Sequence, residues 1–363
     1  MSALKYKIGD HTCRVVVGSS LGKTMAVLTG DLVGSGKLFI ICDANVFALH
    51  GTAIEKTLSR FALRTIVIPS GEATKCAAQA QSLHSWLIDN GISRQDFILA
   101  IGGGVTTDLA GFVASTVLRG VRWGAISTTL LGMVDAAIGG KTGINHPSGK
   151  NLVGTFWQPS FVICDTKYLH TLSEREYRAA YGELLKYAAL IGGKTLDRII
   201  DFVERHSASE RLLESIIVDC VRYKMTIVKK DERETSGLRM RLNLGHTFAH
   251  AIENTLGYGR LLHGEAVTLG LYAAAELSKS VRQSPCRAME KWQLVVSHSM
   301  KSVPKRRLDP PRLLSAMQSD KKRKGKAVRF VLLDRPGKPI LVTGVDETLV
   351  RQAINAMMHA WKK

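Results

Sequence analysis

Short apolar runs, rich in β-branched residues, alternate with amphipathic stretches through the first half of the chain. A strand followed by a helix, repeated in this way, predicts a parallel sheet that is covered by helices. We therefore expect a Rossmann-like α/β domain in the first half. The apolar runs on which this prediction rests lie in the segments Lys37 to Val46, Arg64 to Lys75, Asp96 to Asp108 and Phe161 to Thr166.

The hydrophobic pattern changes after about Thr171, where apolar residues begin to recur at three- and four-residue spacing. This period is typical of amphipathic helices, so the second half is predicted to be mostly α-helical. No internal repeat or Gly/Ser linker separates the halves, and we expect a shared interface with an active site in the cleft between them. The helical windows are Glu174 to Leu190, Lys194 to His206, Glu210 to Lys230, Leu244 to Leu256 and Gly264 to Val281.

The composition is that of a folded protein with about two domains, since 45% of the 363 residues are hydrophobic and 22% are charged. No apolar run approaches the roughly 18 residues of a membrane-spanning helix. The first residues, MSALKYKIGD, are unlike a secretory signal. The six cysteines are spread singly with no CxxC pair, which argues against a disulfide scaffold or a zinc ribbon and predicts a cytoplasmic protein.

The chain is strongly basic, with 50 Lys and Arg against 31 Asp and Glu and a formal charge of +19. This balance favours either nucleic acid or an anionic small molecule as the partner. Eleven basic and two acidic residues lie between Lys301 and Arg329, a density that a solvated surface also explains. Because no zinc finger, RNP-like aromatic set or basic heptad accompanies them, we expect a small anion and no nucleic acid. Strong, salt-dependent binding to random duplex would favour the nucleic-acid alternative.

Three turns that follow predicted strands are candidates for nucleotide binding. Asp43 ends an apolar run, where a carboxylate can meet ribose hydroxyls, although helix capping explains an Asp there equally well. The glycines at 102–104, with Asp108 close behind, let backbone N–H groups approach a pyrophosphate at a helix N-terminus. The group Ser70 to Lys75 forms a third turn with charged residues, with an ordinary helix cap as its alternative.

The densest polar segment spans Ile126 to Asn151 and is interrupted by glycines that permit tight turns. Lysine and asparagine side chains on such loops suit phosphate and hydroxyl oxygens. Loops carried on a rigid sheet are where binding residues concentrate, so we expect a ligand here. The polar residues of the segment include Thr128, Thr129, Asp135, Lys141, Asn145, His146, Lys150 and Asn151.

Three predicted helices carry candidate metal ligands. Glu183 and Lys186 are three residues apart and His246 and His250 are four apart, so each pair shares a helix face, and His263 begins the next helix. Any one of them alone is more often a satisfied polar residue. One carboxylate with two histidines, however, forms a recognised catalytic zinc set that acts as a Lewis acid. The HxxxH motif lacks the glutamate of HExxH, which excludes a metalloprotease.

Six segments of the chain, in one collinear order, resemble the 3-dehydroquinate synthase family of sugar phosphate cyclases. They are GGGVTTDLAGFVAST, STTLLGMVDAAIGGKTGINHPSGKN, YGELLKY, DERETSGLR, LNLGHTFAHAIE and HGEAV. The resemblance implies an NAD-binding α/β domain over residues 1–174 and an α-helical metal and substrate domain over residues 175–363. It also implies tightly held NAD, a divalent metal that is usually zinc but can be cobalt, and a homodimer. The implied reaction converts 3-deoxy-D-arabino-heptulosonate 7-phosphate to 3-dehydroquinate and phosphate in the shikimate pathway.

The resemblance also implies roles for individual residues. The metal ligands would be Glu183, His246 and His263. NAD would contact Asp43, Asn45, Glu72, Lys75, Gly103, Gly104, Val105, Asp108, Thr128, Thr129, Lys141, Lys150 and Thr171. Catalysis and substrate binding would fall to Arg119, Asp135, Lys141, Lys150, Asn151, Lys186, Lys224, Glu234, Arg239, Asn243 and His250, with Lys321 or Lys322 on phosphate.

Two other enzyme types share parts of this pattern. A valiolone-type sugar phosphate cyclase is similar at VTTD and VDAA, and a glycerol dehydrogenase-type polyol dehydrogenase shares a GGGxxxD turn and a metal-binding helical half. Retention of Lys141, Asn145, His146, Asn243 and His250 favours the dehydroquinate branch. The chain departs from the usual family pattern at Thr107, Ser127, Ala136, Ala137, Ala188 and Ala249, and by one extra residue between Glu234 and Arg239.

Overall fold

The computed structural model describes residues 1–206, 209–282, 286–324 and 328–363. The side chains of Arg282 and of residues 318–324 are not described, so nothing is shown of the side chain of the predicted phosphate-binding lysine, Lys321 or Lys322. The chain divides into two compact units. The first contains Met1–Ser173 and Lys224–Arg233, and the second contains Glu174–Tyr223 and Glu234–Lys363.

A seven-stranded sheet forms the centre of the first unit. The strands of this unit are β1 (Ser2–Ile8), β2 (His11–Gly18), β3 (Lys37–Asp43), β4 (Ala62–Ile68), β5 (Phe97–Gly102), β6 (Arg122–Ser127), β7 (Lys141–His146), β8 (Gly149–Phe156) and β9 (Phe161–Asp165). The sheet has the order β1-β2-β9-β6-β5-β3-β4. All neighbouring pairs are parallel except β1 and β2, which confirms the predicted parallel sheet.

The central strands are buried on both faces, as their uninterrupted apolar sequences require. All six residues of β5 are buried, and the rings of Phe97 and Phe161 stack with their centroids 5.7 Å apart. The strands alternate with helices α1 (Gly22–Val33), α2 (Ala44–Leu58), α3 (Ala77–Asp89) and α4 (Gly104–Thr116). Because β3, β5 and β6 are parallel, their carboxyl ends, at Asp43, Gly102 and Ser127, meet at one edge of the sheet.

The polar segment Ile126 to Asn151 is more regular than the predicted loops. After β6 it forms one π-helical turn, Gly132–Ala136, and then enters the antiparallel hairpin of β7 and β8. The expectation that Lys141, Lys150 and Asn151 lie on loops is therefore wrong, because all three lie on hairpin strands. The glycines that suggest loops instead allow the two strands to approach closely, since a Cβ at Gly143 would lie 2.7 Å from the carbonyl oxygen of Val153.

The second unit is built mainly from helices, as predicted. They are α5 (Glu174–Ile191), α6 (Gly193–Arg205), α7 (Glu210–Lys230), α8 (His246–Leu256), α9 (His263–Arg282), α10 (Arg287–Met300), α11 (Pro310–Lys324) and α12 (Glu347–Lys362). Helices α5 to α9 coincide with the five predicted windows, and the residues of α7 from Lys224 onward belong to the first unit. An antiparallel hairpin of β10 (Arg329–Arg335) and β11 (Lys338–Thr343) was not predicted.

Glycines let helices of the second unit cross at unusually short range. A Cβ on Gly264 of α9 would lie 1.8 Å from the carbonyl oxygen of Ala179 on α5, and one on Gly182 would lie 2.1 Å from the carbonyl oxygen of Gly264. Helices α8 and α9 approach each other in the same way at Gly270, where a Cβ would lie 2.3 Å from the carbonyl oxygen of Gly245. Backbone therefore packs directly on backbone where α5, α8 and α9 meet.

The six cysteines are all free thiols, and four of them, Cys13, Cys42, Cys164 and Cys220, are buried. Burial raises the pKa of Cys13 and of Cys42 to about 12 and raises the pKa of Cys164 further. A thiol with so high a pKa is a poor nucleophile, so these three side chains serve as core residues. Among the described helices, none has the length and apolarity needed to span a bilayer.

Candidate active site

At the edge where the parallel strands end, Asp43 caps helix α2. Its Oδ1 accepts hydrogen bonds from the backbone N–H of Asn45 at 2.9 Å and of Val46 at 3.3 Å, and from Ser70 Oγ at 2.7 Å. The capping role considered for this residue is thus present. Ribose binding by Asp43 stays a prediction. The cap also draws the turn after β4 toward Asn45, which brings two of the three predicted nucleotide turns together.

The glycine turn joins β5 to α4 as the sequence predicts. Gly103 is the N-cap residue, and no side chain among the described residues caps the helix there. A Cβ on Gly103 would lie 2.9 Å from Thr129 Cγ2, and one on Gly104 would lie 2.9 Å from Ala136 Cβ. Positions 103 and 104 therefore have room only for glycine. Within the described part of the chain the N-terminus of α4 has no side-chain cap, and an uncapped helix N-terminus that follows a glycine turn is a common binding site for phosphate groups. Val105 lies in the first turn of the same helix.

Lys75 links the glycine-turn helix to the β7–β8 hairpin. Its side chain is 4% exposed, and its Nζ contacts both Asp108 Oδ2 and Asn151 Oδ1. Burial raises the pKa of Asp108, although the Lys75 ammonium opposes the shift. The neighbouring Glu72 accepts a 2.7 Å hydrogen bond from Asn145. Four predicted residues, Glu72, Lys75, Asp108 and Asn151, are thus connected to one another directly or through Asn145. We call these five residues the Lys75 cluster.

A second contact in the first unit joins the π-helical turn to the end of α7. Lys224 Nζ lies 2.7 Å from the carbonyl oxygen of Asp135 and 3.0 Å from its Oδ1. The Gln158 Nε2 group donates to Glu232 Oε1 at 2.8 Å, and it also faces the carbonyl oxygen of Gly139. The pairing of Asp135 with Lys224 unites two predicted catalytic residues that are 89 positions apart in the sequence.

In the second unit, Glu183, His246 and His263 come together from α5, α8 and α9. The ligand atoms of the three lie within 4.8 Å of one another, and the Nε2 atoms of both histidines lie 3.4 Å from Glu183 Oε1. The Glu183 side chain is fully buried, and its Oε2 forms an ion pair with Lys186 Nζ while its Oε1 faces the two imidazoles. A buried carboxylate whose oxygen faces two imidazole nitrogens is the donor set of a divalent metal. We call these three residues the Glu183 pocket.

The electrostatics of the Glu183 pocket favour positive charge. Burial opposes ionisation of Glu183, but the Lys186 ammonium and the two histidines outweigh it and hold the pKa of Glu183 well below its ordinary value. Burial alone would lower the pKa of His263, whereas its contacts with Glu183 and Glu253 raise that pKa to about 10. The negative charge of Glu183 and Glu253 that raises the pKa of His263 also favours a bound cation.

Both histidines present the same ring nitrogen to the pocket because their other nitrogens are engaged. His246 Nδ1 lies 3.1 Å from the carbonyl oxygen of Leu244, and His263 Nδ1 lies 3.5 Å from Glu253 Oε2. Contacts of this kind fix the ring orientation of metal-binding histidines. Glu253, which is 3% exposed, was not identified from the sequence. The signal was available, since Glu253 lies on α8 seven residues after His246.

The second unit contains five further predicted residues with described side chains, of which two, Lys186 and His250, lie beside the Glu183 pocket. Lys186 contacts Glu183 directly and lies 4.5 Å above the Tyr187 ring. The His250 ring lies 5.4 Å from that of His246 and 6.2 Å from that of His263. Arg239, which is 2% exposed, and Asn243 lie on the 3₁₀ turn before α8, and Glu234 precedes it with a left-handed φ of 58°.

Several predicted residues of the first unit lie away from these clusters or face solvent. Thr128 and Thr129 follow β6, where Thr128 donates its backbone N–H to the carbonyl oxygen of Gly102 at 3.0 Å. Lys141 is exposed at the start of β7, and Thr171 is exposed with its Oγ1 2.8 Å from His50 Nε2. Arg119 lies in the turn before β6, at the opposite end of that strand from Thr128.

Two family models together match most of the chain. The model described as 3-dehydroquinate synthase N-terminal matches residues 65–179, and the one described as 3-dehydroquinate synthase C-terminal matches residues 180–323. A curated 3-dehydroquinate synthase from Legionella pneumophila subsp. pneumophila (strain Philadelphia 1) is 39% identical over 342 residues. That match covers 93% of this chain and 91% of the relative.

Two solved cyclase structures are similar over nearly the whole chain. One is 2-deoxy-scyllo-inosose synthase complexed with carbaglucose-6-phosphate, NAD+ and Co2+, with a TM-score of 0.87 and 25% identity, covering 98% of this chain and 99% of that one. The other is the 2-epi-5-epi-valiolone synthase ValA from Streptomyces hygroscopicus subsp. jinggangensis 5008 with NAD+ and Zn2+ bound. It has a TM-score of 0.82 and 26% identity, and it covers 99% of both chains.

Proposed function

The chain belongs to the 3-dehydroquinate synthase family, and we propose that it converts 3-deoxy-D-arabino-heptulosonate 7-phosphate to 3-dehydroquinate and phosphate. It is a lyase that eliminates phosphate and closes a carbocycle in the shikimate pathway, which supplies chorismate and the aromatic amino acids. It uses NAD catalytically together with a divalent metal, Zn2+ or Co2+. The observation that carries the proposal is that one chain combines the Glu183 pocket with a hairpin bearing Lys141, Lys150 and Asn151.

The residues present fit both cofactors. Glu183 offers a buried carboxylate oxygen, Oε1, that faces the Nε2 atoms of His246 and His263, so these three would hold the metal. Gly103 and Gly104 leave no room for a Cβ at the N-terminus of α4, where the NAD pyrophosphate would lie. The remaining NAD contacts are assigned to Asp43, Asn45, Glu72, Lys75, Val105, Asp108, Thr128, Thr129, Lys141, Lys150 and Thr171.

When bound, the metal would polarise substrate hydroxyls and NAD would take up and return a hydride, so that no NADH accumulates. The chain's own residues bind and orient the substrate. Lys141, Lys150, Asn151 and Arg239 offer charge and hydrogen bonds to the phosphate and hydroxyl oxygens. His250, whose ring centroid lies 5.4 Å from that of His246, is assigned to the path by which the substrate hydroxyl would lose its proton.

The other residues assigned to catalysis would keep the substrate in one orientation for ring closure. Asp135 is held by Lys224, and Lys186 by Glu183, so each charged group is fixed before substrate arrives. Glu234 and Asn243 complete the set in the second unit. Arg119 is assigned to phosphate, although it lies at the end of β6 away from the nucleotide turns. We further propose a homodimer, in which a second copy could bring another Arg119 to the site.

The test is phosphate release from 3-deoxy-D-arabino-heptulosonate 7-phosphate with added NAD and Zn2+ or Co2+, with and without chelator, while NADH absorbance is followed. We expect chelator-sensitive phosphate release without NADH accumulation, and 3-dehydroquinate as the product. No release by fully loaded protein would contradict the proposal. Sedoheptulose 7-phosphate and glycerol, tested next, would then identify a valiolone-type cyclase or a polyol dehydrogenase, the latter by net NADH formation.

The expected partner is an anionic sugar phosphate, in keeping with the formal charge of +19. We propose a cytoplasmic location as well. The support for it is that the six cysteines are free thiols, as is usual in a reducing compartment.

A further inference from the structure

Asn145 is at the centre of the Lys75 cluster, and its amide groups reach two different segments. Its Nδ2 donates to Glu72 Oε1 at 2.7 Å, and its Oδ1 accepts the backbone N–H of Asn151 at 3.0 Å. Its own backbone N–H donates to the carbonyl oxygen of Lys75 at 2.7 Å. One half-buried residue on β7 therefore holds the turn after β4 and the start of β8 at the same time.

The bond to Asn151 fixes a backbone conformation that is otherwise unfavourable. Asn151 has a φ of 56°, in the left-handed region that non-glycine residues seldom adopt. Its backbone N–H is held by Asn145, and its side-chain Oδ1 accepts from Lys75 Nζ. The direction of the Asn151 side chain thus depends on Asn145 as well as on Lys75.

The bond to Glu72 fixes a carboxylate on a short and otherwise weakly held element. Glu72 begins a three-residue 3₁₀ turn, Glu72–Thr74, that follows Gly71 with a φ of 102°. So short a turn does not by itself hold a long side chain in one rotamer. A hydrogen bond to a charged acceptor contributes more than one between neutral groups, so the amide of Asn145 is well suited to hold this carboxylate.

We propose that Asn145 is a positioning residue that locks the Glu72 carboxylate and the Asn151 side chain into one arrangement, so that cofactor binding and substrate binding depend on the same amide. The inference deepens the proposed function and rests on it, since NAD is assigned to Glu72 and substrate to Asn151. An ordinary structural role in the hairpin is the competing explanation. The two differ because only positioning predicts that the effects of substitutions at Asn145 and Glu72 on NAD affinity do not add.

The experiment reverses the polarity of the bond between Asn145 and Glu72. Asn145→Asp keeps an oxygen for the Asn151 N–H but places a second carboxylate against Glu72. We expect the NAD dissociation constant, measured by fluorescence titration, to rise about tenfold or more. Glu72→Gln alone removes a carboxylate assigned to NAD and lowers NAD affinity by itself. Adding Asn145→Asp to Glu72→Gln again places an amide against a carboxylate, and we expect it to lower NAD affinity little further. If the two substitutions instead add, or if Asn145→Asp binds NAD like the unmodified enzyme, positioning is refuted.

A matched control separates this effect from a general effect of the substitution. Asn90→Asp makes the same change at a residue whose Nδ2 donates to the carbonyl oxygen of Trp86 at the end of α3, and it should leave NAD affinity unchanged. If Asn145→Asp does not fold, Asn145→Ala removes both bonds without adding charge and undergoes the same titration. Phosphate release by the unmodified enzyme is measured separately, so its absence refutes the proposed function, whereas unaltered NAD binding in the variants refutes the role of Asn145.

Discussion

The Glu183 pocket and the Lys75 cluster hold charged groups in opposite ways. In the pocket, the fully buried Glu183 carboxylate lies between two imidazoles and the Lys186 ammonium. In the cluster, the buried Lys75 ammonium contacts two acceptors, and the Glu72 carboxylate has an amide donor. The pocket surrounds a buried negative group with nitrogen atoms, whereas the cluster surrounds a buried positive group with oxygen atoms and joins its members in a pre-formed hydrogen-bonded network.

The two regions are held in their geometry by different kinds of contact. Backbone contacts between helices set the distances in the pocket, because Gly264 and Gly182 allow α5 and α9 to touch. Side-chain hydrogen bonds set the distances in the cluster. We therefore expect backbone packing changes to damage the first region and polar substitutions to damage the second. Single substitutions in the two regions test this division.

Gly264→Ala should have the largest effect on stability. The added Cβ would lie 1.8 Å from the carbonyl oxygen of Ala179, which is backbone and cannot rotate away. We expect a loss of about 3 kcal/mol or more in the free energy of unfolding, measured by urea denaturation, together with weaker metal binding. Gly51→Ala is the control, since its Cβ meets only the Phe47 ring on the same helix. Equal losses in the two variants would contradict the role of the close helix crossing.

His263→Ala should remove a metal ligand and lower metal affinity and activity together. We expect zinc affinity to fall by more than about 100-fold, beyond the range reported for outer partners of metal ligands. Competition with a chromophoric chelator measures this. His250→Ala alters an adjacent imidazole that does not belong to the Glu183 pocket, and its zinc affinity should remain close to that of the unmodified protein. Full activity of His263→Ala with metal retained would refute the ligand role.

Lys141→Ala should impair binding of a phosphate-bearing substrate and leave both metal affinity and stability intact. The side chain is exposed on β7, so its loss creates no cavity. We expect kcat/KM to fall roughly 10- to 100-fold, the range for a hydrogen bond to a charged group. Lys5→Ala removes an exposed strand lysine on β1 and should change nothing. An unchanged kcat/KM in Lys141→Ala would count against the phosphate role.

Glu253→Gln should weaken metal binding less than loss of a ligand does. The carboxylate contacts His263 Nδ1 at 3.5 Å and keeps Nε2 directed at Glu183. We expect zinc affinity to fall about tenfold, the lower end for such outer partners. Glu276→Gln changes another glutamate of the second unit, one that contacts Lys279 and Gln293, and should have no such effect. Identical zinc affinities in all three proteins would eliminate Glu253 as a positioning group.

The smallest effect concerns the pH dependence of the metal-stripped protein. The pKa of His263 rises from 6.5 to about 10 in the folded state, so folding favours its protonated form. The stabilisation from His263 is complete below pH 6.5 and disappears as the pH approaches 10. The difference in Tm between chelator-treated unmodified protein and His263→Ala should narrow over this window. A constant difference across the window would show that the charge of His263 does not stabilise the fold.

The sequence alone predicts the positions of site residues when these follow from spacing along one helix or one strand-turn-helix segment. Glu183 with Lys186 and the position of His263 at a helix start are confirmed, because helical periodicity fixes which side chains share a face. The glycine turn before α4 is confirmed for a similar reason, since strand, turn and helix follow one another in the chain.

Contacts between distant segments could not be obtained in this way. Lys141 and Asn151 were placed on loops because KTGIN and KNLVG contain glycines, and only the close packing of β7 against β8 shows that they lie on strands. Helical spacing places Glu253 on α8 seven residues after His246, but it does not show that Glu253 contacts His263 on another helix. Gln158 was missed because its partner, Glu232, is 74 residues away.

Helix α7 constrains how the gene for this protein can be divided. The helix is continuous from Glu210 to Lys230, yet the residues from Lys224 onward belong to the first unit. A fragment that ends at residue 173 would lack the ammonium that contacts Asp135 and the carboxylate that accepts from Gln158. The first unit is therefore not a contiguous module, and expression of the two halves as separate polypeptides would require the second half to donate ten residues, 224–233, back to the first.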